Sequence, residues 1–219
     1  MIDLDNWKIN NLVIELRFSP SPYFFKKKSE LIENLYMDFP NYNIPNNEPT
    51  PVAMHTENNP GINLNMAPNR LVILFEKFDD DKILDKGKRV VNFVLKTLQV
   101  QLIKRFGMRI NMIKKMELKN ANDILNSFIN NKFTGLNLMN SSCILNFKNS
   151  QDENLRIALS RGITQNVQVG VNNGDIQQEP ISGLSSDIDF SKENVEPNNV
   201  INLIDNGFRE YEKCQLSIH

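Results

Sequence analysis

Three strand-like segments stand one after another late in the chain, with nothing between them long enough to cross a sheet. Residues 142–148, 154–161 and 164–171 are separated only by an Asn-Ser-Gln-Asp turn and an Arg-Gly pair. A parallel pair needs a crossover of a dozen residues or more, so these strands must pair antiparallel, as a meander. A polar loop over 172–183 and another short strand over 184–190 follow.

Upstream, strand and helix patterns alternate. Residues 9–18 place Leu12, Ile14, Leu16 and Phe18 on one side of a strand, with Val13 opposite. Ser19-Pro-Ser-Pro ends it, and a helix with Phe25, Ile32, Leu35 and Phe39 on its apolar stripe runs on to Pro40. Six prolines between 40 and 68 exclude a normal helix there, leaving a long loop with short extended pieces at 52–55 and 62–66. A strand at 70–78 leads through three aspartates into a helix expected over 82–105, with Ile83, Val90, Val91, Val94, Leu98 and Leu102 inward and Phe106-Gly107 as its stop. The strand at 108–116 alternates Met108, Ile110 and Met112 with Arg109 and Asn111. Asn120 is placed to cap a shorter helix, and Pro197 to open a last one carrying Val200, Ile204, Phe208 and Tyr211. Together these predict a single α+β domain over 1–219: a mainly antiparallel sheet with amphipathic helices packed on one face. No repeat appears at a period of 20–50 residues, which excludes a solenoid.

Composition narrows the function. Twenty-five basic and 26 acidic side chains give a net charge of −1, which lacks the overall footprint of a nucleic-acid binder. Cys143 and Cys214 are too few for a disulfide framework, no apolar run is long enough for a membrane helix, and the acidic start is unlike a signal peptide. The expected setting is the cytoplasm. The 33 asparagines are scattered through periodic segments, as in a chain encoded by an AT-rich genome, and form no low-complexity tract.

Enzymatic chemistry is short of partners. Only His55 and His219 are available to activate a cysteine or serine nucleophile, and no zinc, EF-hand or phosphate-loop spacing occurs among nine glycines. No cofactor is expected. Asp187 and Asp189, two apart on a strand, project to one face and form the closest thing to a metal-dependent hydrolase site. Lys104, Arg105, Arg109, Lys114 and Lys115 surround one junction and are the candidate phosphate-binding patch of a nucleic-acid-binding accessory protein. Arg109 with Asn111 could recognise a carboxylate or phosphate, and is read chiefly as an anchor that hydrogen-bonds neighbouring loops.

Several elements resemble a sporadically distributed bacterial family of about this length. The resemblance rests on residues 12–18 (Leu-Val-Ile-Glu-Leu-Arg-Phe), 105–111 (Arg-Phe-Gly-Met-Arg-Ile-Asn), the Ser-Asp-Ile-Asp strand at 186–189 and the final amphipathic helix. Ile110 stands where that family carries an aromatic residue, and the 40–68 segment and shortened C-terminus are this chain's own. The resemblance implies an α+β scaffold and an accessory, defence or counter-defence role, and brings no catalytic residues. The leading expectation is therefore a non-enzymatic interaction or regulatory protein that docks onto a protein partner. Its binding segment is expected in the 40–68 loop, at Pro45, Pro49, Val52, His55 and Ile62, with the 172–183 loop second.

Overall fold

The computed structural model describes residues 7–43, 51–56, 61–76, 81–128, 142–166 and 179–217. Its frame is one nine-stranded antiparallel sheet. In chain order the elements are β1 (Trp7–Phe18), α1 (Tyr23–Leu35), β2 (Asn41–Asn43), β3 (Val52–His55), β4 (Ile62–Ala67), β5 (Arg70–Glu76), α2 (Asp81–Thr97), β6 (Ile103–Lys115), α3 (Leu118–Phe128), β7 (Ser142–Lys148), β8 (Asn154–Asn166), β9 (Glu179–Val195) and α4 (Val200–Ser217). The sheet order is β2-β3-β4-β5-β1-β6-β9-β8-β7. The α+β class expected from the consecutive late strands is thus what the chain forms.

The order contains a duplication that the sequence hides. From the β1–β6 boundary outward, β1, β5, β4, β3 on one side mirror β6, β9, β8, β7 on the other. Each half begins with its central strand, passes through a helix, returns inward by three strands and ends on a second helix. Only β2 lacks a counterpart among the described residues. The period is far longer than a solenoid's, and the halves share little sequence.

Strand alternation sends one set of side chains into the core and the other to the opposite face. Leu12, Ile14, Leu16, Leu71, Ile73, Phe75, Phe106, Met108, Ile110 and Met112 are all buried beneath the helices, which contribute Phe24, Leu31, Val91, Val94, Ala121, Leu125 and Ile204. The two long helices that close the halves repeat one packing device. Gly87 of α2 lies over Phe75, where an added Cβ would stand 2.5 Å from the ring, and Gly207 of α4 lies over Phe190, where it would stand 2.9 Å away. Each glycine lets a helix settle directly on a phenylalanine of the strand preceding it.

Several boundaries differ from expectation for identifiable reasons. The helix expected to reach Arg105 stops at Thr97, because Gln99 adopts φ 50° and its N–H donates to the Lys96 carbonyl while the Val100 N–H donates to that of Leu95. This is the left-handed cap usually made by glycine, made here by glutamine and so invisible to a glycine search. Leu102, expected inward, is consequently exposed. The Arg-Gly pair at 161–162 does not turn the chain: β8 runs through it to Asn166, with Gly162 paired to Gly183 of β9, and the third strand of the meander is β9. Residues 179–183 of the expected polar loop belong to that strand, and 167–178 lie outside the described residues. In α1 the buried aromatic is Phe24, and Phe25 faces out. The helix attributed to an Asn120 cap starts earlier, with the Ala121 N–H donating to the Glu117 carbonyl. Pieces expected at 52–55 and 62–66 are β3 and β4, so much of the 40–68 segment is sheet.

Gly87→Ala tests the helix-on-ring packing. Helix propensity alone favours alanine by up to about 1 kcal/mol. Overpacking the fixed Phe75 ring should outweigh that and destabilise the fold by roughly 1–3 kcal/mol in urea unfolding. Adding Phe75→Leu should recover part of the loss; a Gly87→Ala variant more stable than the native chain would refute the packing argument.

Candidate interaction surfaces

The face of the sheet turned away from the described helices carries an arginine–carboxylate ladder across five consecutive strands, β5, β1, β6, β9 and β8. Cross-strand pairing sets its geometry. Arg17 lies between Arg70 of β5 and Arg105 of β6, Asp189 lies between Arg109 and Arg156 of β8, and Asp187 lies beside Asn111. Glu15 Oε1 accepts from Arg17 Nε at 2.8 Å and pairs with Arg70 Nε at 2.7 Å. Arg109 grips Asp187 with two hydrogen bonds, the one from Nε to Oδ1 being 2.7 Å, and Arg156 Nη1 stands 3.9 Å from the same carboxylate. Arg105 Nη2 is 4.0 Å from Asp189. Asn111 Nδ2 donates to Asn11 Oδ1 at 2.7 Å, tying β6 to β1, so its partner is a strand residue and not the expected loop.

Local fields follow from this arrangement. Burial raises the Glu15 pKa, but the Arg17 hydrogen bond and the charges of Arg70, Arg17 and Arg105 outweigh it, so the carboxyl titrates below its ordinary value. The Asp187 hydrogen bond likewise holds Arg109 above the ordinary guanidinium value, against partial burial and with help from the Asp187 and Asp189 charges. The carboxylates lie deeper than the guanidiniums: the Asp187 side chain is 19% exposed and that of Arg109 55%.

The two expected charge sites are therefore interleaved rather than separate. Arg105 and Arg109 share the ladder face, and strand alternation adds Lys115 to it. Lys104 is exposed at a bulge against β1, where the β1–β6 pairing skips it. Lys114 is only 6% exposed, on the helix-facing side, and its Nζ has no hydrogen-bond partner among the described residues, so it cannot join a surface patch. Asp187 is taken up by Arg109, and no group of three or more His, Cys, Asp and Glu converges among the described residues.

The expected binding loop also divides. Val52 and Ile62 are core residues, 1% and 7% exposed, because β3 and β4 turn them under the helices. His55 is exposed at the end of β3, and Pro45 and Pro49 lie outside the described residues. Cys143 is a half-buried free thiol on β7. Among the described residues no helix is long and apolar enough to cross a membrane.

A second surface, missed in the sequence, adjoins that segment. Just past α1 the chain is pinned from beneath: Phe39 is fully buried, the Lys86 ammonium sits 5.0 Å from its ring centre, and Asp38 is held by Lys86 at 3.3 Å and Arg89 at 2.8 Å. Tyr36, Met37 and Tyr42 consequently project outward, 48%, 90% and 48% exposed. The two tyrosine rings meet edge to face at 6.2 Å, an arrangement that orients them before any contact is made. The sequence signal was present. Tyr36 and Met37 follow the last inward residue of the helix, Leu35, and have no place on its apolar stripe.

Neither a model of a known protein family nor a curated protein matches the chain. What the fold and surfaces define is an α+β scaffold with one helix-covered and one charged sheet face.

Glu15 gives a pH test. A carboxyl whose pKa falls on folding contributes stability that is fully present above its unfolded value of about 4.3 and is lost as pH drops through the folded one. Between about pH 5 and pH 3 the native chain should therefore lose urea stability more steeply than Glu15→Gln. Parallel curves would show that the Arg17 and Arg70 contacts do not persist in solution.

Proposed function

We propose that this chain is a non-enzymatic docking protein of the cytoplasm whose Tyr36–Met37–Tyr42 edge receives a protein partner presenting an apolar strip. The supporting observation is the exposure of these three side chains on a segment anchored by Phe39 and Asp38. Tyrosine and methionine are enriched at protein interfaces, and rings oriented in advance lose little conformational entropy on binding. Membership of the sporadically distributed bacterial family, and with it an accessory or defence-linked role, belongs to the same proposal.

The ladder favours a protein over a nucleic acid. A polyanion approaching Arg109 or Arg105 would meet Asp187, Asp189 and Glu15 beside them, whereas a protein surface of mixed charge can match both signs. Affinity purification from the native host, with and without nuclease, separates the readings when the native chain is compared with a Tyr36→Ser, Met37→Ser, Tyr42→Ser triple variant. A stoichiometric protein that survives nuclease and is lost with the triple variant, at an unchanged unfolding midpoint, is the expected result. Equal capture by the variant would move the docking site elsewhere. Nucleic acid recovered without protein, at an affinity falling roughly tenfold or more between about 50 and 200 mM salt, would favour the basic residues instead.

A further inference from the structure

One cavity belongs to neither surface. It opens where the β7–β8 turn, the end of β9 and the start of α4 meet, has a volume of about 540 Å³, and is lined chiefly by Gln151, Glu153, Lys192, Asn199, Asn202 and Asn206. That volume lies within the range of about 300–1,000 Å³ typical of small-ligand sites.

Its chemistry centres on Glu153, a carboxylate only 5% exposed. Asn149 builds the turn around it, accepting from the Gln151 and Glu153 N–H groups at 2.9 and 3.0 Å and donating through Nδ2 to Glu153 Oε2 at 2.7 Å. The other oxygen, Oε1, faces the Lys192 ammonium at 3.7 Å, an ion pair held beyond hydrogen-bond distance. A hydroxyl group fits such a pair because it donates to the carboxylate and accepts from the ammonium at once. The surrounding carboxamides offer the same duality, each with a carbonyl acceptor and an NH₂ donor. Val195 and Leu203 supply apolar surface for the carbon face of a ring.

Charge narrows the class further. The lining holds two acidic residues, Glu153 and Glu196, and one basic residue, Lys192, so an anion would enter against a net negative charge. Among the described residues no third carboxylate, histidine or cysteine joins them to hold a metal ion. We propose that this cleft binds a neutral polyhydroxylated ligand of monosaccharide size, with vicinal hydroxyls bridging Glu153 and Lys192 and the asparagines of α4 reading the remainder.

The test is an NMR titration of the full chain with D-glucose, D-galactose and D-mannose, and separately with sodium phosphate and sodium acetate. At least one hexose should shift the side-chain amide signals of Asn202 and Asn206 saturably. Glu153→Gln keeps an acceptor for Asn149, and both it and Lys192→Met should weaken that binding about tenfold or more. Asn206→Leu, at the rim, should abolish it while leaving the rest of the spectrum in place. No saturable shift with any hexose, shifts unaltered in all three variants, or saturation by an anion alone would each overturn the proposal.

Discussion

The antiparallel pairing of β1 with β6 is the contact on which the remaining architecture depends. It joins the first strand of one half to the first strand of the other over almost their whole lengths, from Trp7 opposite Lys114 to Phe18 opposite Ile103. On its inner side Leu12, Ile14 and Leu16 meet Phe106, Met108 and Ile110, none more than 1% exposed. Every other strand is added outward from this pair, and α2 and α4 pack over the strands beside it. A slip of one residue would turn the apolar set outward and the arginines inward, so the burial pattern itself fixes the register.

That register also decides what the outer face can do. Because Val13 lies opposite Arg109 and Arg109 opposite Asp189, the arginines of β6 stand beside carboxylates of β9. Exposed ion pairs of this kind contribute little stability each, typically about 0–1 kcal/mol. Each guanidinium already stands beside a carboxylate, so the face presents both signs of charge together. The same five arginines without Glu15, Asp187 and Asp189 would make a strong polyanion surface.

Much of this was legible in the sequence, where local pattern governs. The alternation in β1, β6 and β9 and the absence of crossover helices late in the chain lead directly to an antiparallel α+β sheet. What escaped has two origins: a local cap made without its usual residue, and contacts distant in sequence. The Gln99 cap imitates a glycine cap without a glycine. Lys114 occupies the inward position of its strand, which composition alone marks as a surface residue. Val52 and Ile62 sit in a proline-rich stretch that reads as loop, yet β3, β4 and β5 pair across it and draw both into the core. Asp187 and Asp189 share a face as their spacing requires, but strand pairing then places arginines beside them, which no spacing rule shows.

The departure from two-fold likeness coincides with the surface proposed for docking. Eight strands have counterparts across the β1–β6 boundary, so their positions follow from building one sheet out of two similar units. β2 does not. Three residues with all side chains exposed add almost nothing to the core, although a strand so short and polar blunts the sheet edge against pairing with another chain. What β2 does accomplish is to hold Tyr42 against Tyr36 at the end of α1, beside the exposed flank of Met37. On the proposed docking role, this edge both ends the sheet and presents the paired Tyr36 and Tyr42 rings to a partner.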